Sequence, residues 1–379
     1  MNKIKYGMVG GGQGAFIGAV HRIAARMDDH FQLVAGALSS TAEKSKASGK
    51  ELGISEGRAY GDFSEMALAE AAREDGIEVV AIVTPNHMHF PVAKAFLEAG
   101  IHVICDKPMT TTVEDAEELA ALVEKTGKVF VLTHNYSGYP MIRQARAMVQ
   151  SGELGTIQLV QAEYAQDWLT EALEGTGQKQ AAWRTDPKQS GIGGCVGDIG
   201  THAFHLGNYV SGLKTEKVAA DMTTFVPGRD LDDNIHVMLR YENGAKGMIW
   251  ASQVAPGNEN ALKLRVYGTK GGIEWEQENP NILYYTPYGK PKQVLTRGGA
   301  GSGEEAGRVS RTPPGHPEGY LEGFANIYSE AAAAIKASRT GQIPDKEVHF
   351  PTVADGVEGV RFITACVTSG HADAEWTQL

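Results

Sequence analysis

The stretch KYGMVGGGQGAFIGAVHR, Lys5 to Arg22, passes from a short apolar run through a glycine-rich turn into a helical pattern. Ile17, Val20, Ile23, Ala24 and Met27 recur at helical spacing, so the turn joins a strand to a helix. Gly10, Gly12 and Ala15 fit the G-x-G-x-x-G/A spacing of a turn that receives a pyrophosphate. The first glycine permits the tight turn, and the second lets backbone approach the anion. Ala15 is small enough for close helix–strand packing, and unpaired helix N–H groups face the phosphate. Gln13, Gly14, Phe16 and Ile17 fall in the same turn and join the candidate cofactor contacts. The additional glycines Gly11, Gly14 and Gly18 leave the register open and allow a longer loop.

Four more apolar runs follow at 31–38, 78–84, 102–105 and 128–133, each short and rich in β-branched residues. Such runs suit strands buried on both faces. Helical patterns lie between them, among them Val113, Ala116, Leu119, Ala120 and Val123. Alternation of this kind implies a parallel, doubly wound sheet, here assigned to a domain over residues 1–134. Residues 135–379 read differently, as a second α/β domain. A helix is expected over 140–150, a strand over 156–166, an irregular segment over 175–197 and a helix from about Asp198. Mostly antiparallel strands are expected over 218–294, with an Asn-Gly turn in YENGAKG. The Gly-rich segment 297–307 reads as a mobile or ligand-responsive loop, and helices over 319–337 and 352–370 close the chain.

At 379 residues, with 42% hydrophobic, the chain can bury two cores. Its 35 basic against 46 acidic residues give a net charge of −11, which opposes binding to nucleic acid. No apolar run reaches the ~18–20 residues of a membrane span. The opening residues enter a strand directly, without the pattern of a signal peptide. Three separated cysteines offer neither a disulfide framework nor metal-ligand spacing. Cytoplasmic residence is the simplest expectation.

Where an acidic residue would grip the ribose hydroxyls, this chain has Ser39 and Ser40, with Lys44 shortly after. NAD and NADP both stay open there, with NAD slightly favoured. Thr84, Pro85, Asn86 and His89 follow a strand end, where loops of a parallel sheet line the ligand crevice. His87 and His89 lack a third metal ligand nearby, so no metal is expected. In VICDKP, Asp106 and Lys107 leave the next strand for the same crevice, and Lys107–Pro108 is a candidate cis peptide. A lysine there favours an alkoxide over an alcohol, the assistance that hydride loss needs. Its ordinary alternative is a surface lysine after a strand. Asp198 and His202 stand four apart on an apparent helix, so the carboxylate can orient an imidazole suited to accept a proton near neutral pH. Their ordinary alternative is a helix cap and an interior histidine. Tyr136, Tyr139, Trp168, Trp183, Arg184 and His316 offer aromatic faces and donors that suit a sugar ring. Tyr139, just before Pro140, serves equally as packing at a helix start.

The Gly-rich turn, TPNHMH, CDKP and GDIGTH, in this order, resemble the Gfo/Idh/MocA family, over nearly the whole chain. GGGQGAFIGAVHR, AAWRTDP and PPGHPEGY resemble most its branch of levoglucosan and related sugar dehydrogenases. The resemblance implies an N-terminal Rossmann domain and a C-terminal α/β domain whose large open sheet forms a homodimer or homotetramer interface. It implies that Lys107 is the catalytic lysine, and that Asp198 and His202 are the D-x-x-x-H pair. Trp183 and Arg184 are implied near the cofactor and His316 near the substrate. Asp106 stands where the family usually has Glu, which keeps the charge with a shorter reach. The expected activity is NAD(P)-dependent oxidation of a secondary hydroxyl on a sugar, anhydrosugar or cyclitol bound between the domains. The alternatives are a glycosidase that retains NAD through its cycle and a non-catalytic nucleotide-binding sugar sensor.

Overall fold

The computed structural model describes residues 3–379, which divide into two compact units. One runs through Asn135 and takes in Leu321–Val357; the other comprises Tyr136–Tyr320 and Glu358–Leu379.

In the first unit the order is β1 (Ile4–Gly10), α1 (Phe16–Met27), β2 (Phe31–Ala37), α2 (Ala42–Glu51), α3 (Phe63–Ala71), β3 (Val79–Val83), α4 (His89–Glu98), β4 (His102–Cys105), α5 (Val113–Thr126) and β5 (Phe130–Leu132). The strands form one parallel sheet in the order β2-β1-β3-β4-β5. Every residue of β3 and β4 is buried, as expected for strands covered on both faces. Helix ends follow side-chain chemistry. The Asp62 carboxylate accepts from the N–H groups of Ser64 and Glu65 to open α3, and α5 stops on Gly127 at φ 63°.

The chain leaves this unit after Asn135 and returns to it at Leu321. Most of α11 (Tyr320–Ser338) belongs to the return. Tyr328 on this helix packs edge-on against Phe31 of β2, with its hydroxyl 2.8 Å from His21 Nδ1 of α1. Farther on, the Pro351 carbonyl accepts from the N–H of Leu132 at 2.8 Å, at the edge of the sheet.

The second unit holds α6 (Pro140–Gln150), β6 (Ile157–Ala165), α7 (Lys179–Arg184), α8 (Pro187–Ser190), a π-helical turn (Val196–Gly200), α9 (Thr201–Ser211), β7 (Thr215–Thr223), β8 (Asn234–Tyr241), β9 (Lys246–Ser252), β10 (Ala261–Gly268), β11 (Gly271–Glu276), β12 (Ile282–Pro287), β13 (Gln293–Thr296) and α10 (Glu304–Arg308). Most of α12 (Val353–His371) and all of β14 (Thr377–Gln378) complete it. Its nine strands run β13-β12-β11-β10-β6-β9-β8-β7-β14, antiparallel except for the β6–β9 pair. Side chains on one face, among them Val160, Ala162, Val237, Ile249, Leu264 and Trp275, form a core with α6, α9 and α12. The opposite face leaves Leu159, Met238, Met248 and Val294 exposed.

Two segments read as irregular contain helix. Over 175–197 the Gln178 side chain accepts from the Ala181 N–H to start α7, and Asp186 accepts from Lys188 ahead of α8. Within 297–307, α10 forms where the Gly303 N–H donates to Gln144 Oε1 of α6 at 2.6 Å. The segment is further tied by Arg297, whose buried guanidinium pairs with buried Glu318 at 3.1 Å. The Asn-Gly turn of YENGAKG forms as read, with Gly244 at φ 86°.

Burial lowers the pKa of two first-unit histidines, His21 and His102, to about 4. His102 Nδ1 accepts the Val129 N–H at 2.9 Å, an acceptor that protonation would remove. Both folded pKa values lie below the unfolded value near 6.5, so the unfolded chain takes up protons first as pH falls. Their stabilisation is complete above pH 6.5 and is lost towards pH 4. Each histidine is therefore expected to withdraw about 1–2 kcal/mol of stability between pH 7 and 5. Urea unfolding at both pH values should show a smaller loss for His102→Gln than for the unaltered chain. An equal loss contradicts the assignment.

Candidate active site

The glycine turn after β1 is built by contacts that only glycine permits. Gly10 sits at φ 81°, and a Cβ on it would meet the Val83 carbonyl oxygen at 2.8 Å. A Cβ on Gly12 would lie 2.5 Å from the Leu38 carbonyl oxygen, which accepts the Gly12 N–H. The close helix–strand packing belongs to Gly18, whose Cβ would collide with Gly11 Cα. Ala15, to which that packing was assigned, is the half-buried residue before α1. The loop is thus longer than the short spacing suggests. Arg22 Nη1 donates to the Gly11 carbonyl at 2.7 Å, and Ser48 Oγ accepts the Gln13 N–H at 3.2 Å, so the turn is held from both sides. Gln13, Gly14 and Phe16 are exposed, and Ile17 is half-buried. Beyond β2, Ser39 is half-buried, whereas Ser40 and Lys44 are exposed.

Two loops meet at the carboxyl ends of β3 and β4. His89 is fully buried between them, with Nδ1 2.7 Å from the Pro108 carbonyl oxygen and Nε2 3.0 Å from that of Thr84. Burial lowers its pKa, against the upward pull of Asp106 and both carbonyls. His89 sits between the TPN and DKP loops with both ring nitrogens facing backbone carbonyls, and its neutral ring donates its one N–H to one of them. Among the described residues, no three His, Cys, Asp or Glu side chains are grouped to hold a metal. The Lys107–Pro108 peptide is cis. Asp106 Oδ1 accepts from the Lys107 N–H at 3.0 Å and from Thr133 Oγ1 at 2.9 Å, which fixes the backbone that carries Lys107. Asn86 is buried, and Pro85 and Lys107 are half-buried. Thr84 Oγ1 is buried without a hydrogen-bond partner, and Thr84 Cγ2 would be 3.0 Å from a Cβ on Gly10.

In the second unit, Asp198 lies within the π-helical turn and His202 within the first turn of α9. Asp198 therefore does not cap the helix. Its Oδ2 accepts from Gln253 Nε2 at 2.9 Å and from Arg184 Nε at 3.2 Å. Arg184 stacks its guanidinium over Trp183 at 4.2 Å, with the Trp168 ring 5.9 Å away. Two donors on one oxygen hold the carboxylate in a single direction. One-turn π insertions recur at functional sites. His202 is buried edge-on against Tyr136, with ring centroids 4.9 Å apart.

Behind Tyr136 runs a polar network that no motif announced. The Tyr136 and Tyr164 hydroxyls lie 2.6 Å apart, and Tyr164 donates to Asn260 Oδ1 at 2.8 Å. Gln166 Nε2 reaches the same oxygen, while Asn260 Nδ2 donates to Gln277 Oε1. Burial raises the pKa of both tyrosines, so they stay neutral donors. Tyr139, at the start of α6, stacks on Tyr136 with its hydroxyl accepting from Gln277 Nε2, the packing alternative read for it. His316 is an exposed side chain, and it is its carbonyl that Arg297 grips. Asp232, absent from the sequence reading, accepts from the N–H groups of Gly194 and Val196 beneath the turn. Its only signal was a pair of acids, Asp232 and Asp233, ahead of an apolar run.

Residues 4–136 match the oxidoreductase family described as an NAD-binding Rossmann fold, and residues 142–274 match the GFO/IDH/MocA C-terminal domain. A crystal structure of an oxidoreductase from Sinorhizobium meliloti is 57% identical, with a TM-score of 0.90 and 99% of each chain covered. An inositol dehydrogenase homolog from Azotobacter vinelandii, complexed with NADH and myo-inositol, is 36% identical at a TM-score of 0.93, covering 100% of this chain and 98% of that one. Levoglucosan dehydrogenase of Pseudarthrobacter phenanthrenivorans is 29% identical over 100% of this chain and 99% of its own. The site belongs to an oxidoreductase with an NAD-binding Rossmann domain. The chain is a member of the Gfo/Idh/MocA family.

The first unit's residues fit NAD. The Gly10 and Gly12 backbones run too close to Val83 and Leu38 to carry a Cβ, and the buried Thr84 hydroxyl beside Gly10 lacks a partner. Thr84→Val should leave thermal stability unchanged or higher and weaken NAD binding by about tenfold in calorimetry. Unchanged affinity contradicts a cofactor contact there.

Proposed function

We propose that the chain is an NAD-dependent dehydrogenase that oxidises a secondary hydroxyl of a sugar, anhydrosugar or cyclitol to a ketone. The observation that carries this reading is the Asp198 carboxylate, fixed by Arg184 and Gln253 in a π-helical turn four residues ahead of His202. Relatives crystallised with NADH and either myo-inositol or levoglucosan support the substrate class.

In this proposal His202 accepts the hydroxyl proton, and Asp198 orients the imidazole and offsets its charge. Lys107 stabilises the developing alkoxide, and Asp106 and His89 hold the loop that carries it. The bound nicotinamide supplies the hydride acceptor. Gly10, Gly12, Thr84 and Asn86 are assigned to cofactor binding, with Ser39, Ser40 and Lys44 at the adenosine ribose. Tyr136, Trp168 and Trp183 offer aromatic surface to the apolar face of a sugar. Cofactor binding is assigned to the Rossmann domain and substrate binding to the domain that follows it. NADP is the second cofactor candidate, because the two serines neither repel a 2′-phosphate nor grip a diol. Assembly into a homodimer or homotetramer is assigned to the open sheet face around Leu159, Met238 and Met248. A monomeric mass by light scattering removes that assignment. Cytoplasmic residence completes the proposal.

The test is absorbance of reduced nicotinamide, with NAD and NADP in parallel against monosaccharides, anhydrosugars, glycosides and inositols. Reduction by one polyol class is expected. Lys107→Ala should then lower kcat by about 10³-fold, with cofactor affinity little changed. Activity retained within a few-fold removes the role given to Lys107. Binding without turnover across the panel contradicts the dehydrogenase and favours a sensor or an NAD-retaining glycosidase.

A further inference from the structure

Asp232 is buried and spends its acceptors on three successive backbone N–H groups. Its Oδ1 accepts from Gly194 at 2.6 Å, its Oδ2 from Val196 at 2.8 Å, and its own carbonyl from Cys195 at 2.8 Å. These N–H groups precede or open the π-helical turn, where a helix start leaves donors without intrahelical partners. No side chain fits between the two segments, since a Cβ on Gly194 would collide with the Asp232 carbonyl oxygen. The helical bonding begins at the same place, with the Asp198 N–H on the Gly194 carbonyl at 2.9 Å.

The other end of this clamp lies in the sheet. Asp232 stands two residues before β8, where Asn234 pairs with Ser252 of β9. The next residue, Asp233, accepts the Gln253 N–H on its carbonyl at 2.9 Å, and Gln253 is the donor to Asp198 Oδ2. The Asp233 carboxylate accepts from the Phe225 and Val226 N–H groups and from Arg229, which also holds Glu174. The segment 232–233 thus fixes both the backbone from which Asp198 projects and the side chain that aims its carboxylate. Burial pushes the Asp232 pKa up to about 6, while its backbone hydrogen bonds pull it down.

We propose that Asp232 is a positioning residue for the reaction, locking the π-helical turn so that Asp198 and His202 keep one geometry. The proposal rests on the dehydrogenase reading for its kinetic consequence and on the hydrogen bonds alone for its structural one. Asp232→Asn keeps the shape but turns an amide donor towards one of the two N–H groups. Leu283→Ala, a buried core truncation on β12, serves as a variant that loses stability without touching the turn.

The experiment compares both variants with the unaltered chain, below their melting temperatures and at saturating NAD. For Asp232→Asn, kcat should fall about 10- to 100-fold while calorimetric NAD affinity stays within about twofold. Leu283→Ala should lose melting temperature and keep kcat. In the same samples, amide exchange over residues 194–200 and the NMR titration of the His202 ring are followed. Asp232→Asn should speed that exchange by about tenfold or more and shift the ring titration; Leu283→Ala should do neither. If the two variants match in kcat, exchange and titration, the positioning role is wrong. If the unaltered chain reduces no nicotinamide, the functional reading fails by itself. Unchanged exchange and titration in Asp232→Asn would then still overturn the positioning role.

Discussion

The constraint on which the second unit's chemistry depends is a single carboxylate oxygen, Asp198 Oδ2, held by Arg184 and Gln253. A carboxylate with one donor can swing; with two donors from different segments it has one favoured direction. Arg184 comes from a short helix whose tryptophan neighbour it stacks upon, and Gln253 from the end of β9. Neither donor is near Asp198 in sequence, so the arrangement exists only once the sheet and the irregular segment have packed. Asp198 and Arg184 stay half-buried, whereas Gln253 is buried, so the amide is the partner that would lose most if left alone.

The first unit solves a different problem, namely how to hold loops open to a ligand without letting them drift. Its sheet is ordinary, with five parallel strands of which β3, β4 and β5 are wholly buried. The loops at its carboxyl edge are tied by His89 to two carbonyls and by Asp106 to the Lys107 N–H and Thr133. These contacts are made to backbone and to the buried Thr133 hydroxyl rather than to exposed side chains. They fix position while leaving the Thr84 hydroxyl buried and unpartnered.

Much of this was legible in the sequence because local pattern decides it. Strands buried on both faces must be continuous apolar runs, and those at 78–84 and 102–105 are. Lys107 drew notice as a cation leaving a strand end before proline, and Asp198 and His202 as an acid and an imidazole four residues apart; their roles belong to the proposal. What was not legible depends on contacts far apart in the chain. Ala15 suited the short glycine spacing, yet Gly18 makes the close contact, because a lengthened loop shifts the crossing of helix and strand. The return of 321–357 rests on partners such as His21 with Tyr328, separated by about three hundred residues and carrying no local signature. Asp232 and Asn260 drew no reading from the sequence; only the fold shows what they bind.

The central claim is direct hydride transfer from a polyol carbon to nicotinamide. Its most direct measurement offers the protein NAD and a perdeuterated polyol from the class that reduces it, with mass spectrometry of both products. Direct transfer gives reduced nicotinamide carrying one deuterium at C4 and a ketone formed in equal amount. Unlabelled reduced cofactor, or a hydrolysed glycoside without net reduction, would contradict it.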